Sequence, residues 1–219
     1  KGREQTVIRL TTQSLKLRST AKGYFLRAYA KSDLKDYQGA IADYNKAIAI
    51  NPKDARAYLN RGYAKSDLKD YQGSIADFNK AIAINPQYAA AYINRGVIKD
   101  KLKDYQGSIA DYNKAIVINP KDARAYYNRG LAKSDLKDYQ GSIADYSKAI
   151  AINPQYDDAY YNRGNTKGRH LGDYQGAIAD YNKAIAINPQ YADAYTNRGI
   201  AKDELKDYQG AISDYNKAI

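Results

Sequence analysis

The 219-residue chain contains no cysteine, methionine or tryptophan, two phenylalanines and a single histidine, His170. Without cysteine there are no disulfides, no thiolate metal sites and no thiol nucleophile, and redox chemistry says nothing of the compartment. One histidine rules out a paired-histidine metal site. No glycine-rich phosphate loop runs into Lys-Ser or Lys-Thr, so a nucleotide site of that kind is absent. No apolar run approaches the ~18 residues of a membrane span, and no secretory signal opens the chain. The sequence begins at Lys1 and stops mid-pattern at Ile219, which reads as a fragment from which a signal could have been lost. No enzymatic activity, cofactor or metal is expected; the sequence does not name the compartment, a soluble, cytoplasmic protein being favoured.

What the chain has instead is tyrosine, 24 copies, and a formal charge of +11. It is too apolar and aromatic for a disordered chain. The charge favours acidic partners and long-range steering without by itself implying nucleic acid.

The dominant feature is periodic. Asn-Pro recurs at Asn51, Asn85, Asn119, Asn153 and Asn188, in steps of 34, 34, 34 and 35, and accounts for all five prolines. Asp-Tyr-Gln-Gly recurs with the same step, from Asp36 to Asp207. A fixed period of this length marks a stacked array of supersecondary units.

Each unit reads as two helices. In residues 54–86, Ala57, Tyr58, Arg61, Gly62 and Lys65 share one face of a first helix. A turn follows at Leu68-Lys69-Asp70, where Asp70 is placed to cap the next helix. Ser74, Ile75, Phe78, Ala81, Ile82 and Ile84 then form an apolar stripe at helical spacing. Asn85 ends that helix, and Pro86 cannot extend it.

These residues resemble the tetratricopeptide repeat: an aromatic (Tyr58), a glycine (Gly62), a small residue (Ser74), a second aromatic (Phe78) and a proline (Pro86) at the family's offsets. The resemblance covers residues 20–219 in a bacterial-looking dialect. It implies an all-α, right-handed superhelical solenoid of antiparallel hairpins. The repeats are expected at 20–53, 54–87, 88–121, 122–155, 156–190 and 191–219, the last truncated. Two columns depart from the family pattern. Arginine (Arg27, Arg61, Arg95, Arg129, Arg163, Arg198) stands where leucine is usual, and lysine (Lys31, Lys65, Lys99, Lys133, Lys167, Lys202) where tyrosine is. Their stems can pack on rings while their heads reach the acidic column Asp43, Asp77, Asp111, Asp145, Asp180 and Asp214. This arrangement is preferred over a basic stripe for nucleic acid.

Residues 1–19 are basic and distinct. Counting back one period places Thr6, Val7 and Leu10 where Ala40, Ile41 and Tyr44 stand, as in a worn capping helix. The fifth unit carries one extra residue near 168–172, where Gly168-Arg169-His170-Leu171-Gly172 replaces the usual turn. A bulge in a surface loop is expected there.

In the tetratricopeptide family the first helices line a concave groove that receives peptides, and some members carry an asparagine ladder. The resemblance therefore implies a binding face at Asn60, Asn94, Asn128, Asn162 and Asn197. Beside them lie Leu59, Ile93, Tyr127 and Tyr161, with Tyr63, Val97 and Leu131. An amide can donate and accept, which suits the backbone of an extended partner; it can equally bond the neighbouring first helix and set the stacking. The rim column changes from Lys22, Arg56 and Arg124 to Asp158 and Asp193, so a bound peptide would have a preferred direction. The expected function is a protein or peptide scaffold. The alternatives are self-assembly into homo-oligomers through array ends, and the docking arm of a larger enzyme.

Overall fold

The computed structural model describes residues 2–219. These are helical hairpins, with no strand among the described residues. They divide into two compact units, the first ending at Leu102 and the second running Lys103–Ile219.

The first unit contains α1 (Gly2–Leu17), α2 (Ala21–Asp33), α3 (Tyr37–Ile50), α4 (Ala55–Asp67), α5 (Tyr71–Ile84) and α6 (Ala89–Lys101). The second contains α7 (Tyr105–Ile118), α8 (Ala123–Asp135), α9 (Tyr139–Ile152), α10 (Asp157–Asn165), α11 (Tyr174–Ile187), α12 (Ala192–Glu204) and α13 (Tyr208–Ala218).

Local chemistry sets the ends of these helices. Asp36, Asp70, Asp104, Asp138, Asp173 and Asp207 each accept a hydrogen bond from the backbone N–H three residues on, as Asp70 does from Gly73 at 2.9 Å. This satisfies an otherwise orphaned donor at each helix start. In the hairpin turns, Lys35, Lys69, Lys103, Lys137 and Lys206 sit at φ of 63–65°. The amide after the lysine reaches back to close the helix end, Asp70 N–H donating to the Lys65 carbonyl at 2.9 Å. This is the left-handed closure that usually takes glycine.

Packing within a hairpin is ring against backbone. Tyr44, Phe78, Tyr112, Tyr146 and Tyr181 are fully buried or nearly so. A Cβ on Gly62 would stand 2.6 Å from a ring carbon of Phe78, and one on Gly130 2.8 Å from Tyr146. The close approach of the two helices therefore requires glycine at these positions.

Charge is the second cement. Asp77 accepts two hydrogen bonds from Arg61, at 2.8 and 2.5 Å, and an ion pair from Lys65 at 2.9 Å. The same arrangement holds Asp43 with Arg27 and Lys31, Asp145 with Arg129 and Lys133, Asp180 with Arg163 and Lys167, and Asp214 with Arg198 and Lys202. Each of these arginines also lies over a tyrosine of its own helix, as Arg129 does over Tyr126 at 5.6 Å. The two basic columns thus face inward onto buried carboxylates.

Helix α1 is a full helix packed on α2, and Arg27 reaches Thr12 Oγ1 at 3.1 Å. Elsewhere the equivalent bond spans 16 residues, as from Arg61 to Asn45, and here it spans 15. The register is one residue away from a simple count of one period. The link between α1 and α2 lacks the Asn-Pro of the others and is one residue shorter.

The fifth-repeat insertion is not a loop bulge. It is taken up inside the helix, where Thr166–His170 continues α10 as a π-helical turn. A wider turn absorbs one residue without shifting what precedes or follows it. Lys167 still meets Asp180 at 2.8 Å, and Gly172, at φ 68°, takes the place of the left-handed lysine.

Candidate binding face

The asparagine column is pinned from within. In the first unit, Asn60 Nδ2 donates to the Arg56 carbonyl at 2.7 Å. Asn94 Nδ2 donates to the Ala90 carbonyl at 2.5 Å and to the Tyr63 hydroxyl. In the second, Asn162 Nδ2 donates to the Asp158 carbonyl at 2.9 Å and to the Tyr127 hydroxyl at 3.0 Å. Asn197 Nδ2 donates to the Tyr161 hydroxyl at 2.8 Å and to Asn165 Oδ1 at 2.9 Å. Asn128 is half-buried and its side chain makes no hydrogen bond among the described residues. An amide has two N–H donors, and in Asn94, Asn162 and Asn197 both go to groups of the chain itself.

The oxygens differ. Oδ1 of Asn197 accepts from Arg169 Nη2 at 2.5 Å, and the residue is buried. Oδ1 of Asn60, Asn94 and Asn162 has no donor among the described residues, and these side chains are half-buried.

The apolar column splits. Leu59 and Ile93 are 6% and 4% exposed and belong to the core rather than to an open face. Leu59 packs with Phe78, Ala81, Ala91 and Ile98. Tyr127 and Tyr161 are half-buried, and their rings lie 4.8 Å from Tyr156 and Tyr191 respectively. Burial pushes the Tyr127 hydroxyl above its ordinary range, so it remains protonated. Val97 and Leu131 are half-buried; Tyr63 is 36% exposed and stands edge-on to Phe78 at 5.8 Å. Leu26 and Tyr29 are exposed in the first unit and Ile200 in the second.

Tyr156 and Tyr191 were missed as members of this face. The signal was present: Gln-Tyr replaces Lys-Asp after Asn-Pro at residues 87–88, 155–156 and 190–191. Where Asp stands, as at Asp54 and Asp122, it caps the following helix. Where Tyr156 and Tyr191 stand, the cap is given up for a ring contact with the preceding repeat. Tyr191 also donates to Asp158 at 2.8 Å.

Among the described residues, no group of His, Cys, Asp and Glu could hold a metal ion, and no helix is long and apolar enough to cross a membrane.

The hairpin geometry agrees with the family comparison. The profile described as TPR repeat matches residues 28–68, 100–136, 134–170 and 168–202, and two described as Tetratricopeptide repeat match 55–88 and 192–219. The chain belongs to the tetratricopeptide repeat family.

Among solved structures, MamA protein is 27% identical with a TM-score of 0.68, over 75% of this chain and 89% of that one. YrrB, described as a TPR protein with an unusual peptide-binding site, is 22% identical with a TM-score of 0.66, over 80% and 90%. PilW, described as a type IV pilus biogenesis factor, is 22% identical with a TM-score of 0.79, over 89% and 90%. The last two show likeness of fold. No curated protein matches the chain in sequence.

Proposed function

We propose that the chain is a non-catalytic interaction scaffold whose first-helix faces each receive an extended segment of a partner protein. The observation that carries this reading is the set of asparagine oxygens at Asn60, Asn94 and Asn162. Their amide nitrogens are bonded within the chain, which fixes the side-chain orientation, while the oxygens have no donor among the described residues. Asn60 and Asn94 form a row of oriented acceptors in the first unit, and Asn162 presents one in the second, which suits backbone N–H groups of an extended chain. Leu26, Tyr29 and Tyr63 give the first unit exposed apolar surface beside that row, and Ile200 does so in the second. Tyrosine is favoured at such contacts. Membership of the tetratricopeptide family, and the peptide-binding site in the description of YrrB, support the same reading.

The test uses a peptide selected from a displayed library against the whole chain. The double variant Asn60→Ala, Asn94→Ala removes both free oxygens of the first unit, and with the one tyrosine bond it loses it is expected to melt within a few degrees of wild type. It is expected to bind the peptide about ten-fold more weakly, the equivalent of roughly 1.4 kcal/mol. Unchanged affinity would remove the ladder from the mechanism.

Self-assembly is a second reading, favoured by one observation: Tyr208 and Ile212 are both exposed on α13. Sedimentation across a concentration series separates it, since a scaffold that binds through its first helices keeps a constant mass.

A further inference from the structure

A cavity of about 310 Å³ opens in the first unit between α2, α3 and α4. Tyr29, Tyr37, Tyr44 and Tyr63 contribute to its walls, and Asp33 and Asp67, the last residues of α2 and α4, stand at it. Three features mark it out from its surroundings.

The carboxylates are unused. In a chain of charge +11, neither Asp33 nor Asp67 forms an ion pair or hydrogen bond among the described residues. The lysines of the same two helices are committed elsewhere, Lys31 to Asp43 at 2.8 Å and Lys65 to Asp77 at 2.9 Å. Arg3 lines an adjoining hollow with Asp33, but no ion pair joins them.

A buried polar group on its wall is also unused. Tyr44 is 0% exposed; its hydroxyl and that of Ser32 face one another at the same cavity, and among the described residues neither has a further partner or a well-formed hydrogen bond. An orphaned buried hydroxyl calls for an explanation, because leaving it unpaired carries a desolvation cost. Burial pushes the Tyr44 phenol well above its ordinary value, so it stays a neutral hydroxyl.

The aromatic walls are specific to this place. Tyr29 is 50% exposed, and with Tyr63 it occupies a column that reads Val97, Leu131, Asn165 and Ile200 in later repeats. Two adjacent tyrosines above two unpaired carboxylates occur in the first two repeats alone.

We infer that this cavity is a subsite for a basic side chain, the ammonium of lysine or the guanidinium of arginine, carried by the partner segment. The inference rests on the scaffold reading and adds the chemistry of one contact. Tyrosine faces attract a cation by their ring charge distribution. Asp33 and Asp67 supply the opposite charge, and the Tyr44 and Ser32 oxygens can accept from N–H groups. The long-range field of a +11 chain opposes the approach of a cation, so the preference has to come from these local groups.

The test uses small cations on the whole chain, independent of any peptide. n-Butylammonium and n-butylguanidinium are titrated by NMR against 1-butanol, a neutral molecule of similar length, while the amide signals of Asp33 and Asp67 are followed. Saturable shifts are expected, with at least one cation about ten-fold or more tighter than butanol. Ammonium ahead points to lysine as the occupant, and guanidinium ahead points to arginine. The Asp33→Asn, Asp67→Asn variant, at exposed positions, should melt as wild type and lose the preference. Butanol binding as well as both cations, or a preference that survives the double variant, overturns the inference. A displayed peptide that ignores Asn60 and Asn94 while the cation shifts persist would overturn the ladder alone.

Discussion

Arg61 grips Asp77 with two nitrogens and with its third reaches Asn45 Oδ1 at 2.6 Å, so one side chain of α4 ties its own hairpin partner to the second helix of the repeat before. Arg129 repeats this with Asp145 and Asn113, Arg163 with Asp180 and Ser147, and Arg198 with Asp214 and Asn182. Guanidinium geometry allows it: a planar fork can hold both oxygens of a carboxylate with one edge and still donate elsewhere with its third nitrogen.

Removal of that fork is therefore expected to cost more than removal of one charge. Arg129→Ala leaves Asp145 buried with Lys133 as its one cation and breaks the bond to Asn113. We expect a loss of about 2–4 kcal/mol, between the net worth of a charged hydrogen bond and the rupture of a fully buried pair. Arg129→Lys should recover little of it. Urea unfolding measures both, and a loss under about 0.5 kcal/mol in Arg129→Ala would show the network to be ornamental.

Acid should weaken the fold through the same carboxylates. Burial tends to raise the pKa of Asp43 and Asp214, but hydrogen bonds from their Arg and Lys partners outweigh it and leave both below the ordinary value. A carboxylate depressed in the folded state contributes stability above its unfolded pKa, about 3.9, and loses it as pH falls through the folded value. Melting temperature should hold level from neutral pH to about 5 and drop below about 4. Replacement of both by Asn should lower stability at neutral pH and flatten that drop. An equally steep acid limb in the double variant would place its origin elsewhere.

Much of this was legible in the sequence. The period fixed the helices, and the pairing of the arginine and lysine columns with the aspartate column followed from a constant separation. What was not legible depended on rotations of one residue, about 100° around a helix. Leu59 adjoins Asn60 in sequence, and that step carries it from the half-exposed face into the core. The extra residue at 168–172 lies among glycines, which read as a loop, yet backbone bonding is kept by widening one helical turn. Tyr156 and Tyr191 hold a capping position, and a pattern search for caps passes over a tyrosine.

Lysine is a poor choice for a left-handed turn, and that gives a third prediction. Lys69 and Lys137 sit at φ 63° and 64°, where a side chain carries steric strain that glycine avoids. Gly172 already holds the equivalent place in the fifth repeat at φ 68°. Lys69→Gly and Lys137→Gly should each stabilise by about 0.5–1 kcal/mol, the relief of strain exceeding the extra freedom of glycine in the unfolded chain. A fall in melting temperature for both would mean that the lysine side chains make contacts worth more than the strain.

The asparagine ladder provides the sharpest test, because its members are alike in sequence and unlike in bonding. Asn94 and Asn162 each donate to a tyrosine hydroxyl of the preceding repeat, Tyr63 and Tyr127, while Asn128 makes no such bond. If the amides set repeat stacking, Asn94→Ala and Asn162→Ala should each cost about 0.5–1.5 kcal/mol, the usual net worth of one hydrogen bond. Asn128→Ala should fall within about 0.5 kcal/mol of wild type, as an unbonded, half-exposed position would. Tyr127→Phe should cost as much as Asn162→Ala, and the two together little more than either, since they remove the same bond. Additive losses in that pair would mean that the hydroxyl and the amide stabilise the fold through different partners. Equal losses at Asn94, Asn128 and Asn162 would mean that the column acts through helix propensity, not through the tyrosines. Only the unequal pattern leaves Asn128 as a ladder member whose amide is available to a partner and whose loss the fold does not feel.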